Sequence, residues 1–92
     1  MKKCYIITYD LIAPVRNYSK LYEAIKAYGT WAKITESTWA IVTESSHSEI
    51  RDHLGSFLDS NDRLFVIKSG HNAAWRNAIA NSDWLKKHLK RI

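Results

Sequence analysis

The feature that most limits how this chain can fold is the segment Cys4-Tyr5-Ile6-Ile7-Thr8-Tyr9. Its branched and aromatic side chains favour a strand, in which Cys4, Ile6 and Thr8 share one face and Tyr5, Ile7 and Tyr9 the other. Both faces are mostly apolar. Such a strand belongs in the middle of a sheet covered on two sides, and Asp10 ends it. With 92 residues the chain holds one domain. The cover must therefore come from this short chain or from a second copy of it.

The remaining elements follow from periodicity and punctuation. Residues 11–16 hold Pro14, which has no amide donor and disfavours helix just before it, so they read as a loop. Tyr18, Leu21, Tyr22, Ile25 and Tyr28 recur at steps of three and four, which predicts a helix with one apolar stripe from Asn17, a suitable cap, to a stop at Gly29. Residues 31–36 and 38–43 read as two strands around Glu36-Ser37. Ser46 with Glu49 forms a capping box and starts a second helix with Ile50, Leu54, Phe57 and Leu58 turned inward. Asp59-Ser60-Asn61-Asp62 is a turn cluster, and Leu64-Phe65-Val66-Ile67 is a fourth strand ending near Gly70. A weaker helical pattern follows in Ala73, Ala74, Trp75, Ala78, Ile79, Trp84, Leu85 and Leu89.

Strand, helix, strand, strand, helix, strand is the order of the split βαβ, ferredoxin-like sandwich. The expected fold is thus α+β, with an antiparallel sheet over residues 1–70 and a helical, basic tail over residues 71–92. Two helices cover one face of such a sheet. Strands that are apolar on both faces then call for the tail, a partner copy, or both on the other, and this is the sequence argument for a homodimer.

Fourteen Lys and Arg against nine Asp and Glu give a net charge of +5, which suits a polyanionic partner such as RNA or DNA or, equally, a solvated basic surface. Residues 84–92 carry four of the basic residues and no acid. The single cysteine, Cys4, excludes an internal disulfide, and no run approaches the ~20 apolar residues of a membrane span. Met-Lys-Lys at the start has no signal-peptide continuation, so a cytoplasmic, non-membrane protein is expected. His47, His53, His71 and His88 show no metal-binding spacing, and Cys4 on a strand reads as a small inert hydrophobe. Trp31, Trp39, Trp75 and Trp84 suit a core or an interface, or base stacking in a single strand.

Through Tyr5-Ile6-Ile7-Thr8-Tyr9-Asp10, Arg16, the helix bearing Leu21 and Ile25, Gly29, Ser37-Thr38-Trp39-Ala40-Ile41 and the acidic turn before the fourth strand, the chain resembles the CRISPR-associated protein two family over about residues 3–69. It is also similar to SinR-like proteins and, more distantly, to VapD toxins. The resemblance implies a dimeric ferredoxin-like subunit, a metal-dependent endonuclease acting on RNA or double-stranded DNA, and an integrase-like or antitoxin-like protein partner. In that family the acid at the end of the first strand is the proposed metal ligand, here Asp10. Two departures stand out: the basic cluster early in the first helix is reduced to Arg16 and Lys20, and a Trp-rich tail replaces a fifth strand.

Asp10 is the candidate catalytic and metal-binding residue. Mg²⁺, or Mn²⁺ in its place, takes oxygen ligands, and two copies of Asp10 at a two-fold axis would supply a pair. Alternatively, Asp10 accepts hydrogen bonds from loop amides. Arg16 and Lys20, and the tail residues Lys86, Lys87, Lys90 and Arg91, are candidate phosphate contacts. Ser37 either donates to a phosphate or to Asp10, or simply closes a turn. A non-catalytic nucleic-acid-binding dimer and a complex-scaffolding dimer are the alternative functions.

Overall fold

The computed structural model describes residues 1–12, 17–70 and 72–89. The chain runs β1 (Lys3–Asp10), α1 (Ser19–Lys26), β2 (Thr30–Thr35), β3 (Thr38–Thr43), α2 (His47–Gly55), β4 (Arg63–Lys68) and α3 (Ser82–His88). The four strands form one sheet in the order β2-β3-β1-β4, and every ladder is antiparallel. The fold is therefore a small α+β arrangement with the two-sided strand β1 inside the sheet.

Local chemistry sets the boundaries. Asn17 accepts a hydrogen bond from the Ser19 amide at 2.8 Å, which orders the turn leading into α1. Gly29 closes the turn between α1 and β2 with φ +93°, a conformation that costs glycine little and other residues more. Ser46 accepts from the Glu49 amide, and the Glu49 carboxylate accepts from the Ser46 amide, so the capping box forms as expected.

Tyr5, Ile7 and Tyr9 of β1 and Trp39 and Ile41 of β3 pack against Tyr18, Leu21, Ala24 and Ile25 of the first helical segment and Ile50 and Leu54 of α2. Both long helices thus lie on one sheet face. Within this core the Trp39 indole donates to the Tyr9 hydroxyl at 2.9 Å, and that hydroxyl donates to the Glu36 carbonyl at 3.4 Å. Burial pushes the Tyr9 phenol pKa up, and the Trp39 donor partly offsets this.

The opposite face carries Ala32 and Ala40, both buried although they point away from α1 and α2. Leu85 and Leu89 of the tail are buried as well, and Lys87 and His88 border one groove with Cys4 and Val42. The tail therefore covers this face along β2 and β3, where the alanines leave room for a helix to approach. The Ile79 amide donates to the Ile34 carbonyl at 2.9 Å, tying the tail to β2. Along β4 the same face stays open: Phe65 is 58% and Ile67 49% exposed.

The expected helical tail is corrected to a single short helix, Ser82–His88. Residues 72–81 take no regular secondary structure. Asn77 sits at φ +54°, outside the helical region, and Asn81 turns its side chain to the amides of Asp83 and Trp84. Asparagines favour such local bonds over continued helix, and they outweigh the apolar pattern between them. Among the described residues no helix is long and apolar enough to cross a membrane.

Candidate nucleic-acid interface

The sheet has two chemically distinct ends. At the first, β1 finishes with Asp10, opposite Arg63 at the start of β4. The Arg63 guanidinium lies 3.7 Å from the Asp10 carboxylate, and both side chains are largely exposed. The β2–β3 turn closes the same end: the Ser37 carbonyl accepts from the Tyr9 amide at 3.2 Å, which sets Ser37 beside Asp10 in the fold. Here Ser37 works through its backbone as part of the turn, and its side chain is exposed. Lys20 is exposed on the first turn of α1. Arg16 lies outside the described residues.

What this end can do follows from its charges. A divalent cation at Asp10 would meet a guanidinium already in place beside the carboxylate. Among the described residues no group of three or more His, Cys, Asp or Glu side chains is placed to hold a metal ion. Asp62, by contrast, is a structural acid: it accepts from the Ile12 amide at 2.7 Å, the Tyr18 hydroxyl at 2.6 Å and the Asp59 amide at 2.8 Å. It thereby clamps the segment after β1 to the turn before β4.

At the second end β1 begins, β4 finishes and α3 finishes. Met1, Lys2, Lys3, Cys4, Lys68, Ser69, Gly70 and His88 line a groove of about 300 Å³. A second groove, of about 360 Å³, adjoins it through Lys2, Cys4 and His88 and adds Val42 and Lys87. Lys2, Lys3, Lys68, Lys86 and Lys87 are all exposed, and none pairs with a carboxylate among the described residues. The nearby acid Glu44 is engaged by the chain's own N-terminal ammonium at 3.5 Å. Burial pushes the Cys4 thiol pKa up, against a smaller lowering by Ser69, so the groove holds a thiol and not a ready nucleophile.

Of the tail residues named from sequence, Lys86 and Lys87 lie at this end, and Lys90 and Arg91 fall outside the described residues. Lys2, Lys3 and Lys68 were not among the sequence candidates. The signal for them is topological: β1 and β4 are antiparallel neighbours, with Tyr5 opposite Lys68, so the start of one meets the end of the other. Asp10 and Lys3 terminate the eight-residue strand at opposite ends, about 24 Å apart at antiparallel rise. One phosphate cannot touch both ends of one protomer.

Two of the three described histidines pack against aromatic rings. His53 packs edge-on against Tyr28 at 5.8 Å and Phe57 at 5.5 Å, and His88 packs on Trp84 at 4.3 Å between ring centres. No protein-family model matches the chain, and comparisons with curated proteins and with solved structures find no match either. The likeness to the CRISPR-associated protein two family therefore stands on the motif residues alone.

Proposed function

We propose that this protein is a nucleic-acid-binding homodimer of ferredoxin-like fold that grips the sugar-phosphate backbone without reading sequence. The observation that carries the reading is the cluster of exposed lysines, Lys2, Lys3, Lys68 and Lys87, around two adjoining grooves, with no carboxylate partner among the described residues. Lysine acts on phosphates as a point charge, so such a surface favours polyanions and is indifferent to base identity. The element order and the strand order β2-β3-β1-β4 support the ferredoxin-like reading. The open strip at Phe65 and Ile67 supports a second copy on the sheet. A cytoplasmic setting, where the lone Cys4 thiol stays reduced, fits this reading.

A second reading, the metal-dependent endonuclease of the resembled family, draws on the placement of Asp10 and Ser37 at one sheet end. It needs Mg²⁺ or Mn²⁺ held between two copies of Asp10 in a dimer, with Arg63 displaced from the carboxylate or turned to the scissile phosphate. An integrase-like or antitoxin-like partner belongs to this reading.

One experiment addresses both. Wild type, a Lys3→Glu/Lys68→Glu/Lys87→Glu variant and Asp10→Asn are titrated onto labelled single-stranded RNA and duplex DNA between 50 and 200 mM salt, with Mg²⁺ and with chelator. Binding should weaken with salt, and each lost phosphate contact should flatten the log–log slope by about 0.9 on duplex and about 0.7 on single strands. The triple variant should lose two to three contacts by this measure, while Asp10→Asn binds as wild type. No wild-type binding at 50 mM salt overturns the reading. Mg²⁺-dependent cleavage by wild type that Asp10→Asn lacks establishes the nuclease instead.

A further inference from the structure

Two of the four tryptophans, Trp39 and Trp75, bond to the fold through the indole N–H, while the Trp31 ring packs 5.5 Å from that of Trp39 and the Trp84 ring 4.3 Å from that of His88. Trp39 is buried with its indole bonded to Tyr9, and the Trp75 indole donates to Ser82 at 3.3 Å. The other two border a third groove, of about 250 Å³, formed by Trp31, Ala32, Lys33, Ile79, Ala80, Asn81 and Trp84 at the β2 edge of the sheet. Trp31 is 37% exposed and Trp84 is half-buried, and neither indole N–H has a hydrogen-bond partner among the described residues. The Lys26 ammonium sits 5.3 Å from the Trp31 ring centre, and Lys33 reaches the groove from β2.

We propose that this groove is a stacking slot for one unpaired nucleobase, so that the protein prefers single-stranded over duplex nucleic acid. The proposal rests on the nucleic-acid reading above and adds the form of the ligand. At about 250 Å³ the slot lies below the ~300–1,000 Å³ of pockets for drug-sized ligands, which suits a single ring system. Its lining is aromatic and aliphatic, with cations beside it, as a flat base joined to a phosphate requires. The two free indole donors can meet base edges or phosphate oxygens. Continuity sets the path of the strand: Trp84 and Lys87 are three residues apart on α3 and so neighbours on its surface. A base held at Trp84 leaves its backbone beside the lysine grooves. A base paired within a duplex cannot enter.

The test uses the full chain. Wild type, Trp31→Ala and Trp31→Phe, each checked for native circular dichroism, are titrated with a labelled oligothymidylate and with a duplex of equal length. Trp31→Ala should bind the single strand roughly 5- to 150-fold more weakly, the range expected for one lost stacked base. Its duplex binding and salt slope should match wild type, and Trp31→Phe, which keeps a ring, should recover most of the loss. Unchanged single-strand affinity in Trp31→Ala, or an equal loss on both ligands, overturns the slot while leaving the lysine grooves intact. Failure of wild type to bind either ligand overturns the nucleic-acid reading itself.

Discussion

Leu85 offers the sharpest test of how the tail belongs to the fold. It is fully buried, yet it sits on a seven-residue helix too short to persist alone in water. Its burial must come from packing on the second face of the sheet. Leu85→Ala removes three carbons, worth about 0.8 kcal/mol each in transfer, or about 2.4 kcal/mol before any cavity term. Measured Leu→Ala losses in cores run about 2–5 kcal/mol. A chain of 92 residues has roughly 5–14 kcal/mol of stability in all, so the variant should remain folded but lose a large share. At about 4–8 °C per kcal/mol the melting temperature should fall by about 10 °C or more. Urea unfolding followed by far-ultraviolet circular dichroism reads the loss directly. Lys86→Ala, exposed on the same helix, serves as control and should stay within about 0.5 kcal/mol. A Leu85→Ala loss below about 1 kcal/mol would refute the reasoning, since the tail would then not be docked through that side chain.

Three further outcomes are expected. Ser46→Ala removes the acceptor for the Glu49 amide and should cost about 1 kcal/mol in the same denaturation assay. Stability should fall as pH rises above 9, because unfolded Cys4 ionises near its ordinary value of 9.0 while the folded thiol, raised by burial, keeps its proton; Tyr9 and Tyr28 add to the slope above 10. Below pH 9 these groups are protonated in both states and contribute no slope, which thermal melts across pH 7–11 can check. Phe65→Glu/Ile67→Lys should convert a dimer near twice 10.7 kDa to monomer by light scattering, and a wild-type mass of 10.7 kDa would remove the dimer.

The parts of the fold legible in the sequence are those fixed by local chemistry. Alternation, the capping box and Gly29 each act over a few residues, and the observed elements fall within two residues of the expected ends except at the end of α2, which stops at Gly55 before Phe57 and Leu58, and in the tail. The tail failed because an apolar pattern cannot weigh Asn77 and Asn81, whose side chains favour local backbone bonds, against the helix they interrupt. That something covers the second face was readable from the two-sided strand. Which half the tail covers was carried by Ala32 and Ala40, whose small side chains mark its bed, and by Phe65 and Ile67, whose exposure marks where it stops. The candidate site was less legible because it is a meeting of chain ends. Lys2 and Lys3 are far from Lys68 in sequence and meet it only through the β1–β4 register.

The separation of the two sheet ends also makes the symmetry of the proposed dimer decide between the functional readings. If two sheets stack through Phe65 and Ile67 about an axis running along the strands, like ends meet, and Asp10 faces the partner's Asp10. If the axis runs across the strands, unlike ends meet, and each Asp10 end lies over lysines of the other copy. Coulomb's law favours the second, because the first gathers the lysines of both copies at one end, whereas Arg63 already balances Asp10 at the other. An Asp10→Cys variant in a Cys4→Ser background distinguishes the two. Disulfide bridging needs Cα atoms within about 7 Å, so oxidation should leave this variant monomeric on a denaturing gel if unlike ends meet. Rapid, quantitative cross-linking would instead place the two acids together and restore the paired-carboxylate mechanism.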